Sequence, residues 1–131
     1  MLKYFPIDAG VRFDCGRSDL LGFDWQNNSA DFLLPGDEQH VLRVQFRSQV
    51  IVRLLDEMPL SMESEAVTRK GLVPHHFAYR VEGASFAEHQ PEAWRQVLGP
   101  LNQYRFITGA GCLDVLMAAF TLPPKRTFRA R

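Results

Sequence analysis

Apolar and polar residues alternate along residues 40–55, and this run is the strongest structural signal in the sequence. One parity is apolar, while the other is polar and carries Arg43, Arg47 and Arg53. Successive side chains of a strand point to opposite faces, so the run predicts β structure with one apolar face. Its 16 residues exceed the usual length of a strand. We therefore expect a bend or an even-length turn near residues 47–49.

Two further segments show strand periodicity. Residues 75–81 place Phe77, Tyr79 and Val81 on one parity. Residues 103–120 are strand-like on both sides of the triplet at positions 109–111, which predicts a hairpin with a glycine-rich turn. The second half of this segment also suits a short helix, because Leu, Met and Ala are good helix formers.

Two segments have the features of short helices. Pro91 suits the first helical position, Glu92 places negative charge in the first turn, and Gly99 stands just beyond the last apolar residue. Residues 61–70 have acidic residues early and basic residues late, which is the charge order that a helix prefers. Because this second segment has little apolar stripe, a polar loop is the alternative to a helix.

The order of the predicted elements is strands, a helix and a hairpin, without regular alternation of strands and helices. We expect an α+β fold in which a mainly antiparallel sheet, shaped as a roll or half-open barrel, carries one or two short helices packed on it. The length of 131 residues suits one domain, which we place at residues 1–122. Residues 123–131 are predicted to form a basic, flexible tail that leaves the fold at two prolines.

Composition limits the classes of partner. Because 15 basic and 15 acidic residues balance, no long-range field draws the body of the domain to nucleic acid or to an anionic membrane. No apolar run approaches membrane-spanning length, and the two cysteines fall in no paired motif. We expect a cytoplasmic protein with free thiols and no cofactor or bound metal. Pairing through an exposed strand edge would make it a homo-oligomer.

The arginines are the main functional lead. If the strand runs pair in one sheet, the out-of-phase arginines share one polar side, which we call the arginine face. A guanidinium group offers a planar fork of donors to carboxylates and phosphates, and it stacks on aromatic rings. Trp94 is a further candidate aromatic contact if it is accessible. The predicted binding residues are Arg43, Arg47, Arg53, Tyr79, Arg80 and Arg105.

Two simpler explanations compete with this hypothesis. Antiparallel sheets often turn one face to water, where long polar side chains are ordinary. In addition, 12 of the 15 basic residues are Arg, a bias that a GC-rich genome also produces.

Other residue groups suggest chemistry more weakly. The adjacent pair His75 and His76 invites a metal-site or acid–base hypothesis that would draw on His89 and on the carboxylates of Glu57, Glu82 and Asp114. Adjacent strand residues point to opposite faces, however, so the two histidines would not share one ion. An ion pair with a strand arginine is the favoured role for Asp114, and a core thiol is the favoured role for Cys112.

The sequence thus favours a small non-enzymatic binding protein that holds an acidic protein, a peptide or a small anionic ligand on its arginine face or in a cleft. The alternative is a small metal-dependent or acid–base enzyme centred on His75, His76 and nearby carboxylates. The basic C-terminal segment, with Phe128 among its charges, has the composition of a contact for nucleic acid or for an acidic protein. Of these two partners, the sequence disfavours nucleic acid.

Overall fold

The computed structural model describes residues 1–8, 13–47, 50–56, 69–119 and 124–130. Within these ranges the chain is mostly sheet, with a 3-10 turn at Cys15–Arg17 and two short helices, α1 (Ser85–Glu88) and α2 (Glu92–Leu98). The strands are β1 Leu2–Pro6, β2 Leu20–Asp24, β3 Ser29–Leu33, β4 His40–Gln45, β5 Ile51–Asp56, β6 Arg69–Lys70, β7 Ala78–Glu82, β8 Leu101–Ile107, β9 Gly111–Ala118 and β10 Lys125–Ala130.

The strands form two sheets. A six-stranded sheet has the order β5-β9-β8-β7-β1-β6, and a four-stranded sheet has the order β10-β4-β3-β2. All neighbouring strands pair antiparallel except β1 and β6. The prediction of a mainly antiparallel fold with few, short helices is confirmed, and the sheets do not close into a barrel.

The long alternating run divides between the sheets, because β4 pairs with β3 and β10 whereas β5 pairs with β9. The expectation that the strand runs all pair in one sheet is therefore wrong. Leu42 and Val44 face the same core against which Val52 packs from the opposite sheet. The parity persists across the break because both strands turn their apolar faces to this shared interior. Positions 48 and 49 of the predicted turn lie outside the described residues.

Aromatic rings fill the space between the sheets. Phe106 of β8 lies with its ring centroid 5.6 Å from that of Phe32 in β3 and 5.5 Å from that of Phe77. Phe46, just after β4, adds a ring 6.0 Å from Phe106. Such edge-to-face and tilted contacts stabilise a core beyond the area they bury. Phe106 therefore joins the two sheets at their centre.

The outer face of the six-stranded sheet, on the side away from the four-stranded sheet, is also covered. Leu2, Tyr4, Tyr79 and Val81 are buried there together with Ala84, which lies just before α1. The helix predicted from Pro91 is present as α2, although Pro91 is its N-cap and Trp94 remains 42% exposed. Of the segment at 61–70, only Arg69 and Lys70 are described, and they form β6 rather than helix.

The predicted hairpin is present as β8 and β9, paired from Leu101 opposite Ala118 to Ile107 opposite Cys112. The helical alternative for its second half is excluded by this register. Within the turn, the Thr108 hydroxyl accepts a hydrogen bond from the Gly111 amide and donates one to the Gly111 carbonyl.

The C-terminal segment is not a tail that leaves the fold. Lys125–Ala130 forms β10, which pairs with β4 from Lys125 opposite Gln45 to Ala130 opposite His40. The fold therefore continues past the boundary that we set at residue 122. β10 pairs with β4 through main-chain hydrogen bonds, which do not depend on side-chain charge. The basic composition of the segment therefore suggested a tail although the segment forms a strand.

Candidate functional site

The arginines do not share one face. Arg43 lies in the four-stranded sheet, whereas Arg53, Arg80 and Arg105 lie in the six-stranded sheet. Arg53 and Arg105 stand opposite Asp114 on the outer face, and Arg80 stands opposite Tyr104 on the inner face. The predicted arginine face is therefore wrong as a single surface.

Arg43 forms a two-pronged ion pair across the β3–β4 ladder. Its Nε donates to Oδ1 of Asp31 at 2.7 Å, and its Nη2 donates to Oδ2 at 2.9 Å. These hydrogen bonds, opposed by partial desolvation, raise the pKa of the Arg43 guanidinium above its ordinary value. Because the fork is occupied by Asp31, Arg43 contributes to cross-strand register rather than to an open binding surface.

Arg105 and Arg53 converge on one buried carboxylate. Arg105 donates from Nε to Oδ1 of Asp114 at 2.7 Å and from Nη2 to Oδ2 at 3.2 Å, while Arg53 Nη2 reaches Oδ2 at 2.6 Å. Asp114 is fully buried, and Arg105 is 1% exposed and also donates to the Tyr4 hydroxyl at 2.8 Å. The ion pair predicted for Asp114 is thus confirmed, with two arginine partners instead of one.

The charge balance of this buried cluster favours a structural role. Burial alone would lower the pKa of Arg105, but hydrogen bonds and attraction to Asp114 more than offset this effect and raise it above its ordinary value. The side chains of Arg53, Asp114 and Arg105 link β5, β9 and β8. Phe86, the second residue of α1, places its ring centroid 4.5 Å from the Arg53 guanidinium carbon. Loss of one partner would leave an uncompensated charge in the interior.

The remaining predicted binding residues differ in accessibility. Arg80 donates to Glu82 at 2.8 Å and stacks over Phe5 at 4.3 Å from the ring centroid, with its side chain 32% exposed. Arg47 is exposed. Tyr79 is 1% exposed, and its hydroxyl bonds to the backbone of Val73, so it is no surface contact. Arg80 and Arg47 are therefore the members of the predicted set that keep substantial exposure.

The groups considered for enzyme chemistry are dispersed. Glu82 pairs with Arg80, Asp114 with the buried arginines, and His89 with the carbonyl of Ser85. Glu57 lies outside the described residues. Across the described ranges, no group of three or more His, Cys, Asp and Glu side chains is arranged to hold a metal ion.

Neither cysteine has the surroundings of an activated nucleophile. Cys112 is buried, with its Sγ 3.8 Å from Oδ1 of Asp114. Burial raises the pKa of the Cys15 thiol, and the charge of Asp14 raises it further. A raised pKa keeps the thiol protonated, whereas nucleophilic attack needs the thiolate.

His75 and His76 precede β7 instead of lying within a strand, and they line one cleft. Its volume is about 810 Å³. His75 has a left-handed backbone, with φ of 66°, and its Nδ1 lies 3.1 Å from Oδ1 of Asp14. Sequence reasoning missed Asp14 because it lies 61 residues from His75 along the chain. The 3-10 turn that begins after Asp14, at Cys15–Arg17, has no recognisable sequence motif.

Strand β10 lies at an edge that no other described strand covers. It is the outermost strand of the four-stranded sheet, and among the described residues it pairs with β4 alone. Lys125, Arg126 and Arg129 are exposed, and Phe128 is 51% exposed. This six-residue strand thus carries three cations and one exposed aromatic ring. Its outer backbone groups have no strand partner in the described part of the chain.

The register of β10 assigns its side chains to two faces. Thr127 stands opposite Arg43 on the outer side of the sheet, and Phe128 stands opposite Leu42 on the core side. Lys125 and Arg129 therefore share the outer side, while Arg126 shares the core side with Phe128. On that side the Arg126 Nη1 donates to the carbonyl of Asp8 at 2.8 Å.

None of the described helices is long and apolar enough to cross a membrane. No protein-family model, no curated protein and no solved structure matches this chain significantly.

Proposed function

We propose that this protein is a non-enzymatic binding protein that takes up an acidic, extended segment of a partner protein along the free edge of β10. The supporting observation is a six-residue edge that has no strand partner among the described residues, together with three exposed cations, Lys125, Arg126 and Arg129. An extended peptide binds a sheet edge through main-chain hydrogen bonds, while alternate side chains determine which sequence fits. This proposal keeps the acidic partner that the sequence predicts and moves its site from the arginine face to β10.

Charge selects an acidic strand over a second copy of β10. Two copies of this edge would place Lys and Arg side chains near one another, and like charges on paired strands destabilise the pairing. A strand with Glu or Asp at alternate positions would instead face Lys125 and Arg129 on the outer side. The exposed ring of Phe128 offers an apolar contact on the opposite side.

The proposal is tested with an alternating Glu-Val hexapeptide titrated into the protein by NMR or calorimetry. We expect binding centred on residues 125–130 that weakens as salt screens the exposed charges. Reversing both Lys125→Glu and Arg129→Glu should weaken binding about tenfold, because each exposed ion pair contributes up to about 1 kcal/mol and is replaced by repulsion.

Two controls separate strand addition from general attraction to a cationic surface. The double variant Arg69→Glu and Lys70→Glu changes net charge equally but alters β6, in the other sheet. An N-methylated peptide keeps the acidic side chains and lacks main-chain donors. Equal binding by the N-methylated peptide, or equal weakening by the β6 variant, would contradict the proposal.

Several finer expectations belong with this proposal. The roll or half-open barrel shape is supported by two sheets that share one core without closing. A cytoplasmic location is supported by the absence of any paired-cysteine motif in the sequence. A homo-oligomer would have to use an edge other than β10 in a like-to-like contact. The small anionic ligand remains a prediction for Arg47 and Arg80, and the acid–base enzyme remains one for His75.

A further inference from the structure

The cleft at His75 and His76 is a second candidate site, separate from β10 in its lining residues. It opens between the end of β1, residues 13–14 and the segment that precedes β7. Its volume of about 810 Å³ is within the range of small-molecule sites. The lining residues are Pro6, Ile7, Asp8, Phe13, Asp14, Val73, Pro74, His75, His76 and Phe77.

Most of this lining is apolar. Phe13 forms an aromatic wall that is backed by the buried ring of Phe77, with ring centroids 5.2 Å apart, and Val73 is 46% exposed. Apolar walls with a few convergent polar groups are typical of sites that hold an organic molecule rather than a hydrated ion. The polar groups therefore determine what the bound molecule must carry.

In their neutral forms the two histidines of the cleft each offer one acceptor nitrogen, because the other ring nitrogen contacts a protein oxygen. With His75 neutral, its Nδ1 donates to Asp14 Oδ1, so its Nε2 is an acceptor. With His76 neutral, its Nε2 donates to the Ile7 carbonyl at 2.9 Å, so its Nδ1 is an acceptor. The partner of each ring thus assigns its tautomer.

Asp14 adds a charged acceptor. Its Oδ1 accepts hydrogen bonds from the Gly16 amide at 2.9 Å and from His75, whereas its Oδ2 has no hydrogen-bond partner among the described residues. The Gly16 bond, followed by the His75 bond, lowers the pKa of Asp14 and keeps it ionised. Asp8 also belongs to the lining, and among the described lining residues there is no Lys or Arg.

The backbone at His75 is held in a conformation that non-glycine residues rarely adopt, with φ of 66°. The His75 carbonyl accepts a hydrogen bond from the Cys15 amide at 3.1 Å, which ties this position to the turn that begins after Asp14. Backbone strain of this kind persists where surrounding contacts fix it, and it is concentrated at functional sites. His75 and Asp14 are therefore presented to the cleft as one preformed unit.

We infer that the cleft binds a small organic ammonium ion, whose apolar body packs on Phe13 and whose N–H groups donate to Asp14 and His75. An ammonium group supplies several donors and a positive charge, which matches the Asp14 carboxylate and the ring nitrogens of the two histidines. A carboxylate or phosphate ligand would meet acceptors and like charge. The Arg126 guanidinium donates to the Asp8 carbonyl and places positive charge beside Asp8, so the preference for an ammonium ion rests on Asp14 and His75.

The inference is tested with three ligands that share a ring and differ in charge, namely benzylammonium, benzyl alcohol and benzoate. Each is titrated into the full chain while side-chain resonances of Phe13, Phe77 and His75 are followed by NMR. We expect benzylammonium to bind most tightly. Asp14→Asn should weaken benzylammonium binding about two- to fivefold, the effect of one exposed ion pair, and should leave benzyl alcohol unchanged.

Two variants keep the test informative if Asp14→Asn alters the fold. His75→Asn tolerates the left-handed backbone and removes the imidazole, so it should also weaken benzylammonium binding. Val73→Trp narrows the cleft and should weaken all three ligands. Tighter or equal binding of benzoate would overturn the ammonium preference, and binding of none of them at the cleft would overturn the site itself. Neither result bears on peptide binding at β10.

Discussion

Replacing Asp114 by alanine is expected to lower the free energy of unfolding by about 3–5 kcal/mol, because it leaves buried guanidinium charge without its carboxylate. Asp114 is fully buried between Arg105, which is 1% exposed, and Arg53. Urea unfolding followed by circular dichroism measures the change. No comparably buried ion pair occurs among the other salt bridges of the described residues.

The matched control is Asp31→Ala, which also removes a carboxylate bonded twice by one arginine. The Arg43 and Asp31 side chains are 18% and 27% exposed, so this loss should cost about 1 kcal/mol or less. The double variant Asp114→Leu with Arg105→Met should recover much of the stability, since it removes the two fully buried charges together, whereas the remaining Arg53 is 23% exposed and reaches water. If Asp114→Ala costs no more than Asp31→Ala, the cluster is not buried as described.

Replacing Phe106 by alanine is also expected to lower the free energy of unfolding by about 3–5 kcal/mol, because it leaves a cavity where the two sheets meet. The Phe106 ring contacts the rings of Phe32, Phe46 and Phe77, which come from both sides of the core. Thermal and urea unfolding measure the loss. A cavity here would weaken the contact between the sheets, so thermal unfolding and urea unfolding should both show the loss of stability.

Phe128→Ala is the matched control for Phe106→Ala. It removes the same side chain from a position that is 51% exposed, so little buried area is lost and the expected cost is below about 1 kcal/mol. Equal losses at the two positions would show that Phe106 does not join the sheets. The same Phe128→Ala protein also reports how far the exposed ring contributes to peptide binding at β10.

Local alternation predicted β4, β5, β7, β8 and β9, because side-chain parity depends only on neighbouring residues. The hairpin of β8 and β9 and strand β7 followed from such signals, whereas helix α2 followed from the residues at its two ends. The run at 40–55 shows what side-chain parity does not encode. Its parity identified the core-facing residues of β4 and β5, but those strands turn to one core from two sheets, and no local pattern encodes sheet membership.

The arginine face failed for a related reason. A strand position out of phase with apolar neighbours is exposed only where the second face of the sheet meets water. The outer face of the six-stranded sheet is instead covered, so Arg105 is buried with Asp114. A usable signal was present in β9, where Leu113, Leu116 and Met117 are apolar on both parities, as in a strand buried on both faces.

The C-terminal strand was missed because its charges resembled those of a tail. Its pairing with β4 relies on the backbone, and Thr127 and Phe128 are the only residues of the segment with strong strand preference. The basic residues that suggested a tail are the ones that support the function proposed for β10. They leave its free edge suited to an acidic strand and unsuited to a second copy of itself.

Amide hydrogen exchange across Lys125–Ala130, measured with and without the Glu-Val hexapeptide, tests the central claim most directly. In the free protein we expect protection at alternate amides, those that face β4, and rapid exchange at the others. Addition of the peptide should protect the rapidly exchanging set. Uniformly rapid exchange in the free protein, or peptide binding that leaves this second set unprotected, would contradict a strand whose open edge receives an acidic partner.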